Sequence, residues 1–202
     1  MDLIVTIVRH GNTFDAGEQA RRIGARTDLP LVASGLDQAR ALGRSFAELG
    51  LVFDRALAAP LLRTRATIDA ILVGQPQAPV VQSVDWLTEI DHGPDEGLID
   101  SDVIARIGHD ALVAWDKEAR APDGWIVDSD RRIAGWQNLW KTGGGHVLIV
   151  TSNGAARFAL LSDERLRSQA SALSSLKLRT GAYGTIVREQ DELRLVAWDR
   201  RP

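Results

Sequence analysis

Residues 3–11 read Leu-Ile-Val-Thr-Ile-Val-Arg-His-Gly. The run from Leu3 to Val8 is apolar and rich in β-branched residues, which is typical of a strand buried on both faces. An arginine, a histidine and a glycine follow at once. Ligands of open α/β sheets bind at the carboxyl ends of the strands. This stretch therefore predicts such a sheet, with a polar site directly after its first strand.

The rest of the chain alternates strand-like and helix-like segments. Ser34 is predicted as the N-cap of a helix, and Gly50 stands where a C-terminal glycine is expected. Further strands are predicted at 53–58, 80–87 and 146–151, and helices at 60–72, 102–118, 129–141 and 154–161. Residues 183–187 and 193–198 predict a terminal β-hairpin. This order predicts a three-layer α/β/α fold, mostly parallel with an antiparallel terminal strand, in a single domain over residues 1–202.

Composition narrows the possible classes of protein. The 202 residues are 45% hydrophobic and 25% charged, with a net charge of −3 and no cysteine. The charge gives no reason to expect nucleic acid as a partner, and the absence of cysteine excludes thiolate nucleophiles and cysteine-based zinc sites. The first residues lack a signal-peptide pattern, and no apolar run is long enough to span a membrane. We therefore expect a cytoplasmic protein.

Two polar loops are candidates for chemistry. The arginine of Arg9-His10-Gly11 has a planar fork of donors that matches phosphate oxygens, and a neutral imidazole can attack phosphorus to form a covalent intermediate. Taken alone, these residues also fit a structural role, in which Arg9 pairs with an acid and His10 caps the strand. Ser152-Asn153-Gly154 follows the predicted strand at 146–151. Because the carboxyl ends of parallel strands share one edge, we expect the two loops to lie together.

Four short motifs stand in order between residue 3 and about residue 160. They are Val8-Arg9-His10-Gly11-Asn12-Thr13, with Arg21, Gly24, Asp28-Leu29-Pro30-Leu31, Gly35 and Gln38-Ala39 beyond it; Ala59-Pro60-Leu61-Leu62-Arg63-Thr64-Arg65-Ala66-Thr67; Leu87-Thr88-Glu89, with Gly93 and Glu96-Gly97; and Val150-Thr151-Ser152-Asn153-Gly154. This ordered set resembles the histidine phosphatase superfamily, which includes the cofactor-dependent phosphoglycerate mutases and many small phosphatases.

The resemblance implies roles for particular residues. His10 is the implied nucleophile, and Glu89 is the implied proton donor to the leaving oxygen. The implied phosphate-binding residues are Arg9, Gly11, Asn12, Arg63, Asn153 and Gly154, with Arg21 as a secondary anion contact. Asp91, Asp95 and Glu96 compete with Glu89 for the role of proton donor. No cofactor is expected, and no group of histidines and acids has the spacing of a metal site.

The fourth motif departs from the family pattern. The superfamily normally has a second histidine where this chain has Asn153, and an asparagine often found three residues after the threonine of the first motif is Ala16 here. The asparagine amide still donates a hydrogen bond but cannot become positively charged. Loss of one preorganised donor typically costs about 10²–10³-fold in rate. We therefore expect a weakened site.

These observations predict a metal-independent phosphomonoester hydrolase that forms a phosphohistidine on His10. The alternatives are a phosphate-ligand sensor or scaffold with little turnover and a mutase-type phosphotransfer enzyme. The expected partner is a small phosphorylated substrate, with a homodimer possible and no nucleic acid or membrane involved. The charged stretch at 165–179, with Arg167, Lys177 and Arg179, is predicted to be a solvated surface segment.

Overall fold

A six-stranded sheet forms the centre of the computed structural model, which describes residues 2–202. The strands are β1 (Leu3–Arg9), β2 (Arg55–Ala58), β3 (Val81–Ser83), β4 (Gly145–Thr151), β5 (Tyr183–Glu189) and β6 (Glu192–Arg200). Their order is β3-β2-β4-β1-β5-β6. Strands β3, β2, β4 and β1 are parallel to one another, β5 pairs antiparallel with β1, and β6 pairs antiparallel with β5. The predicted mostly parallel α/β fold is confirmed. The boundaries of a single domain at 1–202 stay a prediction, and residue 1 lies outside the described residues.

Within residues 2–202, eight helices surround this sheet. They are α1 (Ala33–Glu48), α2 (Leu62–Leu72), α3 (Asp100–Ile107), α4 (His109–Glu118), α5 (Ser129–Thr142), α6 (Asn153–Ala156), α7 (Phe158–Leu161) and α8 (Glu164–Ala170), with short 3₁₀ turns at Asp85–Leu87 and Gly93–Asp95. None of these helices is long and apolar enough to cross a bilayer.

The strand alternation divides the core into two layers. In β4, Val147 and Ile149 face one cluster of buried side chains, whereas Leu148 and Val150 face the other. Helices α1 and α2 cover the second face, and α5 to α8 cover the first. Because successive strand side chains point to opposite faces, an unbroken apolar run requires helices on both sides of the sheet. The α/β/α layering follows from this requirement.

Two predicted helix features differ in the structure. Helix α1 begins at Ala33, and the predicted cap Ser34 lies inside it; its hydroxyl accepts a hydrogen bond from Asn12 Nδ2 at 3.3 Å. The prediction of Ser34 as N-cap is therefore wrong. The predicted helix at 102–118 is two helices, because Gly108 takes a φ of +80° and ends α3. Gly50, with a φ of +66°, ends its helix as predicted.

Other predicted elements also differ from those in the structure. The strand predicted at 80–87 pairs only over Val81–Ser83, because its partner β2 is itself only four residues long. The chain then turns through the 3₁₀ segment Asp85–Leu87 toward the sheet edge. The stretch at 165–179 was predicted to be a solvated segment, but it contains most of α8, whose Leu166 and Ala170 are buried. Asp163 caps α8 by accepting hydrogen bonds from two backbone N–H groups.

Candidate active site

The two candidate loops meet at the carboxyl edge of β1 and β4. These strands are parallel neighbours, with Arg9 opposite Thr151. The backbone N–H of His10 donates to the Thr151 carbonyl at 3.1 Å, which joins the end of β1 to the start of the second loop. His10, Glu89 and Asn153 line one cleft of about 660 Å³ at this edge. The predicted meeting of the loops is thus what the parallel pairing produces.

His10 is buried and held in one tautomer. Only 3% of the residue is exposed, and Nδ1 lies 2.8 Å from the carbonyl oxygen of Gly11. Because a carbonyl can only accept, Nδ1 carries the proton and Nε2 keeps a lone pair. Burial, together with the charges of Arg9 and Arg63, lowers the pKa of His10 well below 6.5. The imidazole is therefore neutral at neutral pH, as a nucleophile toward phosphorus must be.

Two arginines beside His10 each keep a donor without a partner. Arg9 donates from Nη1 to the Leu178 carbonyl at 2.8 Å, and Arg63 donates from Nη1 and Nη2 to the carbonyls of Thr27 and Gly24 at 2.7 and 3.1 Å. The Nε atoms of both arginines are buried with no hydrogen-bond partner among residues 2–202. Unpaired buried donors are costly, so the Nε of Arg9, which lines the cleft, suits an anion that enters the site. Arg63 is fully buried and is not one of the residues that line the cleft.

Burial perturbs the pKa values of the same two arginines. It lowers the pKa of Arg9 to about 10, and the nearby carboxylate of Glu89 opposes this effect. Burial also lowers the pKa of Arg63, again against Glu89. Both side chains remain cations at neutral pH. Two fixed positive charges therefore flank the neutral His10.

The loop after His10 packs too tightly to admit side chains. A Cβ on Gly11 would lie 2.1 Å from the carbonyl oxygen of Gly35, so two backbones are in contact here. The N–H of Gly11 donates to Thr67 Oγ1 at 3.2 Å, and the N–H of Asn12 donates to Gln38 Oε1 at 2.9 Å. These two N–H groups are therefore engaged within the protein. Phosphate binding by Gly11 and Asn12 stays a prediction. It depends on the close approach of a ligand to the Gly11 backbone and on the side chain of Asn12.

Glu89 faces the same cleft, with its carboxylate fixed at both oxygens. Oε1 accepts from the N–H of Ile90 at 2.9 Å and Oε2 from the N–H of Gly154 at 3.1 Å. A Cβ on Gly154 would come within 2.2 Å of Oε1. Only a glycine at position 154 therefore leaves room for the carboxylate, which gives Gly154 a role in placing Glu89.

The three competing acids are engaged elsewhere. Asp91 pairs with Arg26 at 3.0 Å, and Asp95 is buried against Arg106 and the indole N–H of Trp125. Burial would raise the pKa of Glu96, but contacts with His92, Thr27 and the N–H of Gly24 outweigh it and hold that pKa at about 2. Of these four acids, Glu89 is the one that lines the cleft beside His10.

Asn153 is held by the peptide of Leu178. Its Oδ1 accepts from the N–H of Leu178 at 2.9 Å, while the carbonyl of Leu178 accepts from Arg9. The backbone of one residue, Leu178, thus fixes both Arg9 and Asn153. Because the oxygen is taken, the amide can offer only its Nδ2 donors to a ligand in the cleft. No local pattern predicts this contact, which joins residues 25 positions apart.

Several further cations line the cleft. Arg21 lines it but donates to the carbonyl of Gly97 at 3.1 Å in an exposed position. Its neighbour Arg22 also lines the cleft, pairs with Asp100 at 3.0 Å and keeps a buried, unpaired Nε. Lys177 and Arg179, predicted to be solvated, line the cleft as well. The role of Arg21 as a secondary anion contact stays a prediction. The unpaired Nε of Arg22 makes this neighbour the better placed of the two for such a contact.

The described residues contain no cluster of metal ligands. Within residues 2–202, no group of three or more histidines and acids is close enough together to hold a metal ion. The cationic donors of the cleft are the guanidinium groups of its arginines and the ammonium group of Lys177. Independence from a metal stays a prediction, which the experiments below test.

Curated sequences similar to this chain include phosphoglycerate mutases. The 2,3-bisphosphoglycerate-dependent phosphoglycerate mutase of Bradyrhizobium diazoefficiens is 31% identical over 121 residues, which are 59% of this chain and 57% of that protein. The corresponding mutase of a Methylobacterium species is 32% identical over 124 residues, 60% of this chain and 58% of that protein. The match thus covers less than three fifths of either relative.

Solved structures with the same fold include phosphatases. The α-ribazole phosphatase of Shigella flexneri superposes with a TM-score of 0.73 at 21% identity, covering 98% of this chain and 96% of that one. A mycobacterial glucosyl-3-phosphoglycerate phosphatase gives 0.77 at 20% identity, covering 98% and 99%. A further structure, described as mycobacterial hydrolase 1, gives 0.80 at 20% identity and covers all of both chains. At these identities the likeness shows the fold.

The whole-chain evidence comes from a family model. The model for branch 1 of the histidine phosphatase superfamily matches residues 5–201, which include all four motifs and the C-terminal hairpin. The chain therefore belongs to the histidine phosphatase superfamily.

Proposed function

We propose that this protein is a metal-independent phosphomonoester hydrolase that works through a phosphohistidine on His10. One observation carries the proposal: the Nδ1 of His10 is tied to Gly11, which leaves Nε2 as a nucleophile in the same cleft as Arg9 and Glu89, with the charge of Arg63 acting on the ring. A structural histidine would need neither the two unpaired guanidinium donors nor an acid facing it.

The first half-reaction transfers the phosphoryl group. Nε2 of His10 forms a bond to phosphorus while the bond from phosphorus to the ester oxygen breaks. The protonated carboxyl of Glu89 gives its proton to the departing oxygen, so an alcohol leaves and phosphohistidine remains. Arg9 and Arg63 compensate the negative charge on the phosphoryl oxygens. Such proton transfer typically contributes about 10²–10⁴-fold to the rate.

The second half-reaction regenerates the enzyme. Water enters where the alcohol has left and attacks phosphorus, and the carboxylate of Glu89 takes its proton. The bond between phosphorus and Nε2 breaks, which releases inorganic phosphate and neutral His10. The volume of the cleft, about 660 Å³, leaves room for this water once the alcohol has left.

A panel of phosphorylated metabolites tests the proposal. Wild type should release inorganic phosphate from at least one phosphomonoester at the same rate with and without chelator, and His10→Ala should release none. Absence of turnover on every substrate, with phosphate still bound, would contradict it. A cytoplasmic location and a homodimer stay predictions from the sequence, which cell fractionation and light scattering can test.

Two other functions are supported by specific observations. A phosphate sensor is favoured by Asn153, which offers a neutral donor where the family usually has a histidine. A mutase is favoured by the curated relatives, which are named phosphoglycerate mutases. Incubation with 3-phosphoglycerate and catalytic 2,3-bisphosphoglycerate distinguishes them: isomerisation indicates a mutase, release of phosphate a hydrolase, and binding alone a sensor.

A further inference from the structure

A fully buried arginine lies directly behind Asn153. Arg157 follows α6 and has no exposed surface. Its Nε donates to the backbone carbonyl of Asn153 at 3.4 Å, and its Nη1 donates to the carbonyl of Trp115. Its guanidinium also lies over the Trp115 ring, 4.1 Å from the ring centroid. Trp115 lines the cleft, so Arg157 touches two parts of the site wall.

The guanidinium of Arg157 is incompletely paired. Its Nη2 is buried and has no hydrogen-bond partner among residues 2–202. The nearest acid is Asp116, with Oδ1 at 3.8 Å, but that carboxylate already forms a closer pair with Lys177 at 2.5 Å. Asp116 therefore only partly compensates the charge. A cation buried in this way is costly unless its charge serves a purpose.

A second buried arginine provides a comparison. Arg132 also lies in the core, but its Nε donates to the carbonyl of Val127 and its Nη1 to those of Trp86 and Thr88, and within residues 2–202 it has no fully buried nitrogen without a partner. That is how an arginine with a structural role satisfies its donors. Arg157 is 0% exposed against 7% for Arg132, yet its fully buried Nη2 has no partner among residues 2–202, so packing alone does not account for it.

The charge of Arg157 reaches the reacting groups. Burial lowers its pKa to about 10, Asp116 and Glu89 raise it, and Arg9 and Arg22 lower it further. Arg157 is thus close enough to the proton donor and to a phosphate-clamping arginine for their charges to act on one another. In this buried setting such interactions are screened much less than at the surface.

We propose that Arg157 is a positioning residue for phosphoryl transfer, which holds Asn153 from behind and supplies the fixed positive charge that this site lacks because Asn153 replaces a histidine. The inference rests on the proposed function of the His10 site. Arg157 itself does not touch the phosphoryl group. It acts through the carbonyl of Asn153, through the orientation of that residue at the start of α6, and through its field.

Three variants test this proposal against a purely structural role. Arg157→Lys keeps the charge, Arg157→Gln removes it but keeps a donor, and Arg188→Gln is the matched control. Arg188 donates to the Gly143 carbonyl at 2.9 Å, at the opposite end of the sheet from His10. For each variant kcat and KM are measured with an aryl phosphate, together with Tm and the Kd of orthovanadate and of inorganic phosphate.

If Arg157 supplies charge, Arg157→Gln should lower kcat by about tenfold or more, since removal of a direct donor costs about 10²–10³-fold and this residue acts indirectly. KM should stay within about threefold. Arg157→Lys should keep at least about a third of the wild-type kcat, even if its Tm falls as far as that of the Gln variant. Arg188→Gln should lower Tm and leave kcat unchanged.

Equal losses of kcat in the Lys and Gln variants, in proportion to Tm, would overturn the proposal, as would an unchanged kcat in Arg157→Gln. If the Gln variant does not fold, the Lys variant decides alone, because a tenfold loss at wild-type Tm contradicts a charge role. Should wild type show no turnover, the proposed function fails separately. Vanadate binding that weakens in Arg157→Gln and persists in Arg157→Lys then still supports the inference, and unchanged binding in both refutes it.

Discussion

Gly154→Ala should disable proton donation without changing any group that reacts. A Cβ at this position would lie 2.2 Å from Glu89 Oε1 and 3.0 Å from a carbon of Ile90, against an ordinary contact of 3.4 Å or more. Glu89 must then retreat by roughly 1 Å. In doing so it gives up its hydrogen bond from the N–H of Gly154, now 3.1 Å long.

The size of the effect follows from this displacement. A misplacement of about 1 Å can cost about 10²-fold in rate, and proton donation contributes about 10²–10⁴-fold. We therefore expect kcat/KM for an alkyl phosphate to fall about 10²-fold. An aryl phosphate, whose leaving oxygen hardly needs a proton, should lose less than about threefold. Overpacking costs about 1–3 kcal/mol, partly offset by about 0.5–1 kcal/mol from alanine in a helix.

The assay compares alkyl and aryl phosphates in wild type, Gly154→Ala and Glu89→Gln. Gly74→Ala is the control, because a Cβ on Gly74 meets nothing within 4 Å. The two variants at the site should share one pattern, a large loss on the alkyl ester and a small loss on the aryl ester. Equal losses on both esters, or no loss in Gly154→Ala, would refute the placement of Glu89 as proton donor.

Three further predictions concern the nucleophile and its surroundings. A labelled phosphomonoester should leave acid-labile phosphate on wild type and none on His10→Ala, and label that persists in the variant removes His10 as nucleophile. Turnover should be unchanged by chelator, whereas loss on chelation with rescue by magnesium or zinc contradicts the mechanism. Since burial, Arg9 and Arg63 lower the pKa of His10 well below 6.5, its neutral form is kept as the pH falls through 6.5. After correction for ionisation of the substrate, the acid limb of kcat/KM that belongs to His10 should therefore lie below pH 6.5, and a limb at 6.5 that moves on Arg63→Lys would contradict this.

The sequence was most informative where local patterns decide the structure. The continuous apolar runs of residues 3–8 and 146–151 specify two strands covered on both faces, and β1 and β4 are such strands. Their parallel pairing then brings Arg9, His10 and Asn153 to one edge. These features depend on continuous apolar runs and on the geometry of parallel sheets, which a single sequence can express.

The remainder depended on contacts between distant segments. The backbone of Leu178 joins Arg9 to Asn153, and no local sequence pattern predicts these contacts. Arg157 lies four residues after Asn153, so one helical turn places its side chain beside the carbonyl of Asn153. Its contact with Trp115, however, depends on how α4 packs. The helix break at Gly108 was missed because glycine within a helical pattern is often tolerated, and its φ of +80° is a property of the folded chain.

The contact between Asn153 and Leu178 determines what Asn153→His can achieve. In the variant, an acceptor for the Leu178 N–H has to come from Nδ1 of the new ring, which leaves Nε2–H as a neutral donor toward the cleft. Formation of an imidazolium would set two N–H groups against each other and leave the Leu178 N–H unpaired, at a cost of about 1–3 kcal/mol. The charges of Arg9 and Arg157 oppose it further, while a phosphoryl dianion favours it.

We therefore expect Asn153→His to raise kcat by less than about tenfold, with a gain that grows as the pH falls from 8 to 5.5, because the protonated ring is the more effective donor. Asn153→Asp is the matched control: it keeps the acceptor for Leu178, removes the donor and adds a negative charge, so kcat should fall about 10²-fold. A wild-type kcat in Asn153→Asp would show that the amide does not contact the phosphoryl group. A fall in Asn153→His at unchanged Tm would mean that the pocket has adapted to asparagine. Robust wild-type turnover eliminates the sensor, whereas tight phosphate binding without turnover, rescued by the histidine, would replace the hydrolase with a sensor.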